Sequence, residues 1–141
     1  MTNTLSHLPT VLCALLVSAI VGCGGGPKLN EVSGKVTIDG VNPSAALEIL
    51  FMPVDNQKHT IGTGRSVVQR DGTYKMYYPG GKEGVPAGEY TVSIEVVPDD
   101  ESQEGRSRLI IPERYNSATE LKATVKPGKN ENIDFDISLK R

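Results

Sequence analysis

The stretch Val85-Pro86-Ala87-Gly88-Glu89-Tyr90-Thr91-Val92-Ser93-Ile94-Glu95-Val96 constrains the fold more than any other. Pro86 and Gly88 make a turn, and a run of strict alternation follows it. Tyr90, Val92, Ile94 and Val96 share one face, while Glu89, Thr91, Ser93 and Glu95 share the other. A helix would scatter these apolar positions around its circumference, whereas a strand gathers them on one side. The segment therefore predicts a central β-strand with one face turned to a core.

Other runs repeat the pattern. Glu31–Ile38 reads as a first strand, with Val32, Gly34, Val36 and Ile38 on one side. Gly34 inside it signals a bulge or the close approach of another backbone. Asp39-Gly40 and Asn42-Pro43 mark a loop, and Leu47–Pro53 reads as an internal strand. Asp71-Gly72 lies between Ser66–Gln69 and Thr73–Tyr78, the signature of a hairpin. The segment 79–84 reads as a loop, 113–117 as a turn or helical loop, and 120–125 as a strand. Asn132–Leu139 alternates again, with Ile133, Phe135, Ile137 and Leu139 facing inward. About seven strands and no amphipathic helix predict an all-β fold, a single sandwich with Greek-key-like connections. The expected core is Val36, Ile38, Ile49, Phe51, Tyr74, Tyr90, Val92, Ile94, Val125, Ile133, Phe135 and Ile137.

The start of the chain reads as a targeting device. Residues 1–10 are polar, and Val11–Val21 is an uncharged apolar run of about eleven residues, short of the ~20 that a spanning helix needs. Ile20-Val21-Gly22-Cys23 resembles the lipobox of bacterial lipoproteins. That resemblance implies diacylglycerol transfer to the Cys23 thiol and cleavage before Cys23. The residue types suit the chemistry: a thiolate is a strong nucleophile at neutral pH, and Gly22 opens the backbone to a peptidase. Two or more acyl chains, at about 0.8 kcal/mol per buried methylene, hold a protein to a bilayer where one would be marginal. The n-region departs from the pattern in having no Lys or Arg. Gly24-Gly25-Gly26-Pro27 then reads as a flexible tether. The organisation expected is a signal peptide with lipobox over 1–22, a lipidated Cys23 and tether over 23–30, and one β-domain over 31–141. Cys13 would leave with the signal peptide, so the mature domain would hold no disulfide.

Removing residues 1–22 leaves roughly 120 residues, enough to bury about two-thirds of the unfolded surface without a metal or disulfide. With 15 Lys and Arg against 17 Asp and Glu, interspersed, the chain has no basic stripe to attract nucleic acid.

Several segments together resemble a known group. Val32-Ser33-Gly34-Lys35-Val36, Asp71-Gly72-Thr73-Tyr74 and Pro86-Ala87-Gly88-Glu89-Tyr90-Thr91-Val92 look like strands of transthyretin-like, carboxypeptidase regulatory-like domains. Ile111-Pro112-Glu113-Arg114-Tyr115-Asn116, Val125-Lys126-Pro127-Gly128-Lys129-Asn130 and Asp134-Phe135-Asp136-Ile137 are similar to a group of short planctomycete lipoproteins. The resemblance implies a seven-stranded prealbumin-like sandwich and no particular activity. The same fold hosts a hydroxyisourate hydrolase, which uses histidines, an arginine and a C-terminal Tyr-Arg-Gly-Ser signature. This chain ends Ile137-Ser138-Leu139-Lys140-Arg141, and His59 is the only histidine after the apolar run. A hydrolase is thus the disfavoured alternative.

No other motif carries chemistry. His59 has no second ligand at metal spacing, and Asp99–Glu104 lacks the spaced oxygens of an EF-hand loop. Gly80-Gly81-Lys82 lacks Walker spacing. Tyr77 and Tyr115 are the candidate partner-binding aromatics, since a ring on a sandwich surface can stack on a sugar or bury in a protein. Tyr78 shares a face with Tyr74 and Met76 and reads as core, leaving Tyr77 outward. Tyr90 is expected to hydrogen-bond the backbone of the turn before it, as in a tyrosine corner. The function expected is a non-catalytic envelope module without cofactor or metal. A lipid would hold it to the membrane, and its partner would be an envelope protein or polysaccharide.

Overall fold

The computed structural model describes residues 26–54, 62–97 and 109–140. The lipobox, Cys23, His59 and the Asp99–Glu104 loop lie outside the described residues. Among those described, no helix is long and apolar enough to cross a membrane.

The described residues form eleven strand segments and one 3-10 turn over Glu113–Tyr115. In order the strands are β1 (Leu29–Asn30), β2 (Ser33–Ile38), β3 (Leu47–Pro53), β4 (Gly64–Val68), β5 (Thr73–Lys75) and β6 (Tyr77–Tyr78). They continue with β7 (Lys82–Glu83), β8 (Val85–Pro86), β9 (Gly88–Val96), β10 (Lys122–Val125) and β11 (Phe135–Ile137). One sheet runs β10-β9-β3-β4-β6-β7 and a second runs β11-β2-β5, with β1 and β8 pairing separately. The result is an all-β sandwich. Each of the seven expected strands has a counterpart, but the one drawn over 73–78 divides into β5 and β6, and the loop over 79–84 contains β7.

The longest strand, β9, is interior to its sheet. It pairs antiparallel with β3 on one side, Ile94 opposite Ile49 and Val92 opposite Phe51, and with β10 on the other. Leu47, Ile49 and Phe51 alternate inward along β3 as Tyr90, Val92 and Ile94 do along β9. Phe51 joins the two sheets. Its ring centroid lies 5.6 Å from Tyr90 in its own sheet, 6.4 Å from Tyr74 on β5 and 6.4 Å, edge-on, from Phe135 on β11. The expected core is buried apart from Ile133, which is half-buried and packs against it. Leu139, expected inward, is 38% exposed, because β11 ends at Ile137 and the alternation is lost with it.

Local chemistry explains the main turns. Gly72 has φ +85°, and a Cβ there would stand 2.5 Å from the Val36 carbonyl oxygen, which excludes any other residue from the Asp71-Gly72 turn. Asp71 Oδ1 accepts the Thr73 N–H at 2.9 Å and the Thr73 hydroxyl at 2.6 Å, closing an Asx turn. The Tyr90 hydroxyl donates to the Pro86 carbonyl at 2.7 Å, bracing the turn at the entry to β9 as expected.

Two features lay beyond the sequence. β11 runs parallel to β2, with Phe135 beside Val36 and Ile137 beside Ile38. Alternation alone does not distinguish a parallel neighbour from an antiparallel one. Leu29 and Asn30, assigned above to the tether, belong to the fold as β1. Asn30 is 4% exposed, and its amide ties the domain entrance to the Val85 carbonyl (3.3 Å) and the Gly128 N–H (2.8 Å).

Candidate functional site

A concavity forms where the chain passes from one sheet to the other. Arg65 on β4 pairs with Tyr77 on β6. At the turn end of the same hairpin the Gln69 N–H donates to the Thr73 carbonyl at 2.8 Å. Between them this register would place Val67 opposite Lys75. Instead β5 pairs with β2, and Ser66, 7% exposed, fills the opened rung. The Ser66 hydroxyl donates to the Val67 carbonyl at 3.2 Å and accepts the Lys75 N–H at 3.4 Å. The hairpin expected around Asp71-Gly72 is thus made at both ends and opened in the middle. The two sheets draw the halves apart, because Tyr74 and Met76 must reach the core.

The opening leaves a cleft of about 1000 Å³. Glu48 on β3, Arg65 and Val67 on β4 and Gln69 just after it line one side, Thr73, Lys75 and Tyr77 on β5 and β6 the other, and Thr63 and the Pro79–Gly81 turn close its end. Tyr77 is 40% exposed and presents its ring there, as the alternation predicted. Tyr78 also reaches the cleft rather than the core. It is half-buried, and its hydroxyl accepts the Gly62 N–H at 2.9 Å.

The charges in the cleft are matched. Lys75 Nζ lies 2.5 Å from Glu83 Oε1, and that carboxylate raises the ammonium's pKa. Arg65 and Glu48 approach to 3.7 Å, close enough to offset each other but too far for a hydrogen bond. The remaining polar lining is neutral: the Gln69 amide and the hydroxyls of Ser33, Thr63 and Thr73.

Tyr115 does not join this site. It sits in the 3-10 turn, half-buried against the core, and its hydroxyl accepts the Ser138 N–H at 3.2 Å. The Arg114 guanidinium lies 4.8 Å from the ring centroid and donates to the Ser138 and Lys140 carbonyls, each at 2.7 Å. Hydrogen bonding from Arg114, and then from the Ser138 N–H, lowers the Tyr115 pKa. This constellation fastens the C-terminal segment to the sandwich, and Tyr115 has a structural role there, away from the cleft. A smaller hollow beside Tyr115's segment, lined by Val96, Leu109, Ile110 and Asn116, is shallow and apolar. Among the described residues, no group of three or more His, Cys, Asp or Glu side chains could hold a metal.

Of the side chains that line the cleft, sequence reasoning singled out Tyr77 and passed over Glu48, Arg65, Gln69 and Lys75. Each is a polar residue on or just beside a strand, and nothing local separates such a residue from an ordinary solvated one. The concentration of tyrosines at 74, 77 and 78 was the one signal available.

Fold and cleft together define a small all-β sandwich with an open lateral site of neutral polar and aromatic character. No family model matches the chain, no curated protein matches it, and no solved structure matches it.

Proposed function

We propose that the protein is a non-catalytic, lipid-anchored module of the cell envelope, exported and held at the membrane through Cys23. It binds an envelope protein or polysaccharide through the Tyr77 cleft. The reading combines the lipobox-like Ile20-Val21-Gly22-Cys23, the glycine-rich segment after it and the sequence segments that resemble transthyretin-like domains. The observation that carries the binding role is the cleft itself, where an exposed aromatic ring stands beside neutral hydrogen-bonding groups. A cleft with a few convergent polar groups is the ordinary form of a ligand site. The charges of the lining are matched, which suits recognition of a neutral partner surface.

The test is crosslinking and co-purification of the full-length protein from its native membranes, with Cys23→Ala as control. The expected result is an acylated Cys23 at the N-terminus of the mature chain and a co-purifying component lost in the control. An unacylated protein in the soluble fraction would overturn the anchoring.

A further inference from the structure

We infer that the cleft over β4, β5 and β6 binds a neutral polysaccharide, with Tyr77 as the stacking platform and Gln69 as the principal hydrogen-bonding group. This rests on the binding role proposed above and names the ligand class. Three observations carry it.

The first is the lining. A sugar presents C–H faces that pack on an aromatic ring and hydroxyl groups that both donate and accept. Tyr77 offers the ring, and Val67, 54% exposed, extends the apolar surface. Gln69 offers a donor and an acceptor on one planar group, and the Thr73 hydroxyl, whose proton is held by Asp71, offers an acceptor.

The second is charge. Lys75 is engaged by Glu83, and Arg65 is offset by Glu48. Without a surplus of cations, the cleft lacks the electrostatic attraction that a polyanion requires.

The third separates a sugar from a peptide. An extended peptide adds to a sheet through unpaired main-chain groups, and an opened β-ladder is where such groups would be sought. Here the Ser66 hydroxyl already engages the Val67 carbonyl and the Lys75 N–H, two of the main-chain groups an added strand would need. This favours recognition by the side chains of the lining. The cleft, about 1000 Å³ and open to solvent, accommodates a section of a chain without needing its end.

The test is affinity electrophoresis of the full-length protein in detergent. The gels carry hydroxyethyl cellulose, xylan, glucomannan or dextran, with dextran sulfate and gelatin as polyanion and peptide controls. The expected result is retardation in at least one neutral polysaccharide, weakened at least tenfold in Tyr77→Ala and in Gln69→Ala, with melting temperatures matching the parent. Unchanged mobility in every neutral gel would overturn the inference. So would retardation that Tyr77→Ala leaves intact, or retardation by dextran sulfate or gelatin alone. Capture of a membrane protein that depends on both Cys23 and Tyr77, without retardation in any polysaccharide gel, would remove the glycan and leave the anchored module standing.

Discussion

Gly34 and Ile133 lie so close that a Cβ on Gly34 would stand 1.9 Å from the Ile133 carbonyl oxygen. The same oxygen accepts the Tyr74 hydroxyl at 2.5 Å, and the Ile133 N–H donates to the Ser33 carbonyl at 3.1 Å. The segment leading into β11 is thereby pinned onto β2 at a point where only glycine fits. Gly34→Ala should destabilise the domain by about 3 kcal/mol or more, because the obstructing atom belongs to held backbone and does not swing aside. Denaturant unfolding measures this, and a loss below about 1 kcal/mol would contradict the geometry.

Phe51 and Tyr77 should behave as opposites. Phe51 is fully buried and touches aromatic rings from both sheets, so Phe51→Ala should cost about 3–5 kcal/mol. Tyr77 is 40% exposed at the cleft, and Tyr77→Ala should change stability by no more than about 0.5 kcal/mol. Thermal melts of the two variants compare them directly.

Ser66→Ala removes the hydroxyl that fills the opened rung, leaving the Lys75 N–H and Val67 carbonyl without it. A loss of about 1–2 kcal/mol is expected, together with faster hydrogen exchange at the Lys75 amide. Unchanged exchange there would show that the rung does not depend on Ser66.

Asp136 governs part of the acid limb of stability. Its carboxylate accepts the Thr37 hydroxyl at 2.6 Å and the Gly40 N–H at 3.0 Å, and these bonds, Thr37 first, hold its pKa below the ordinary value. A carboxylate with a lowered folded pKa stabilises the fold above its unfolded pKa of 3.8, and loses that contribution as pH falls through the folded value. Asp71, lowered chiefly by the Thr73 hydroxyl, acts in the same sense. Melting temperature should fall as pH drops below about 4, and Asp136→Asn should flatten that decline.

Tyr90 governs part of the alkaline limb. Burial pushes its phenol up to about 12, so its contribution is complete below the unfolded value near pH 10 and fades as pH rises towards 12. Burial raises Tyr74 as well. Tyr90→Phe should cost about 1 kcal/mol at neutral pH by leaving the Pro86 carbonyl without its 2.7 Å partner. It should also weaken the alkaline decline, which a pH series of thermal melts records.

The sequence by itself determined which face of each strand turns inward, because side chains alternate with period two wherever a strand forms. The burial of Ile49, Phe51, Tyr90, Val92 and Ile94 follows from that rule alone. The positive-φ glycine of the Asp71-Gly72 turn and the phenol that braces Pro86 were legible as well, because a turn and a partner four residues away are local features. Only the tertiary structure decided which strands are neighbours. The parallel docking of β11 on β2, the division of Thr73–Tyr78 between two sheets and the recruitment of Leu29–Asn30 into β1 depend on residues tens of positions apart. The cleft belongs to this second group. Glu48, Arg65, Gln69 and Lys75 are unremarkable in their own segments, and they become a site because the core claims Tyr74 and Met76 and pulls the hairpin open beside them.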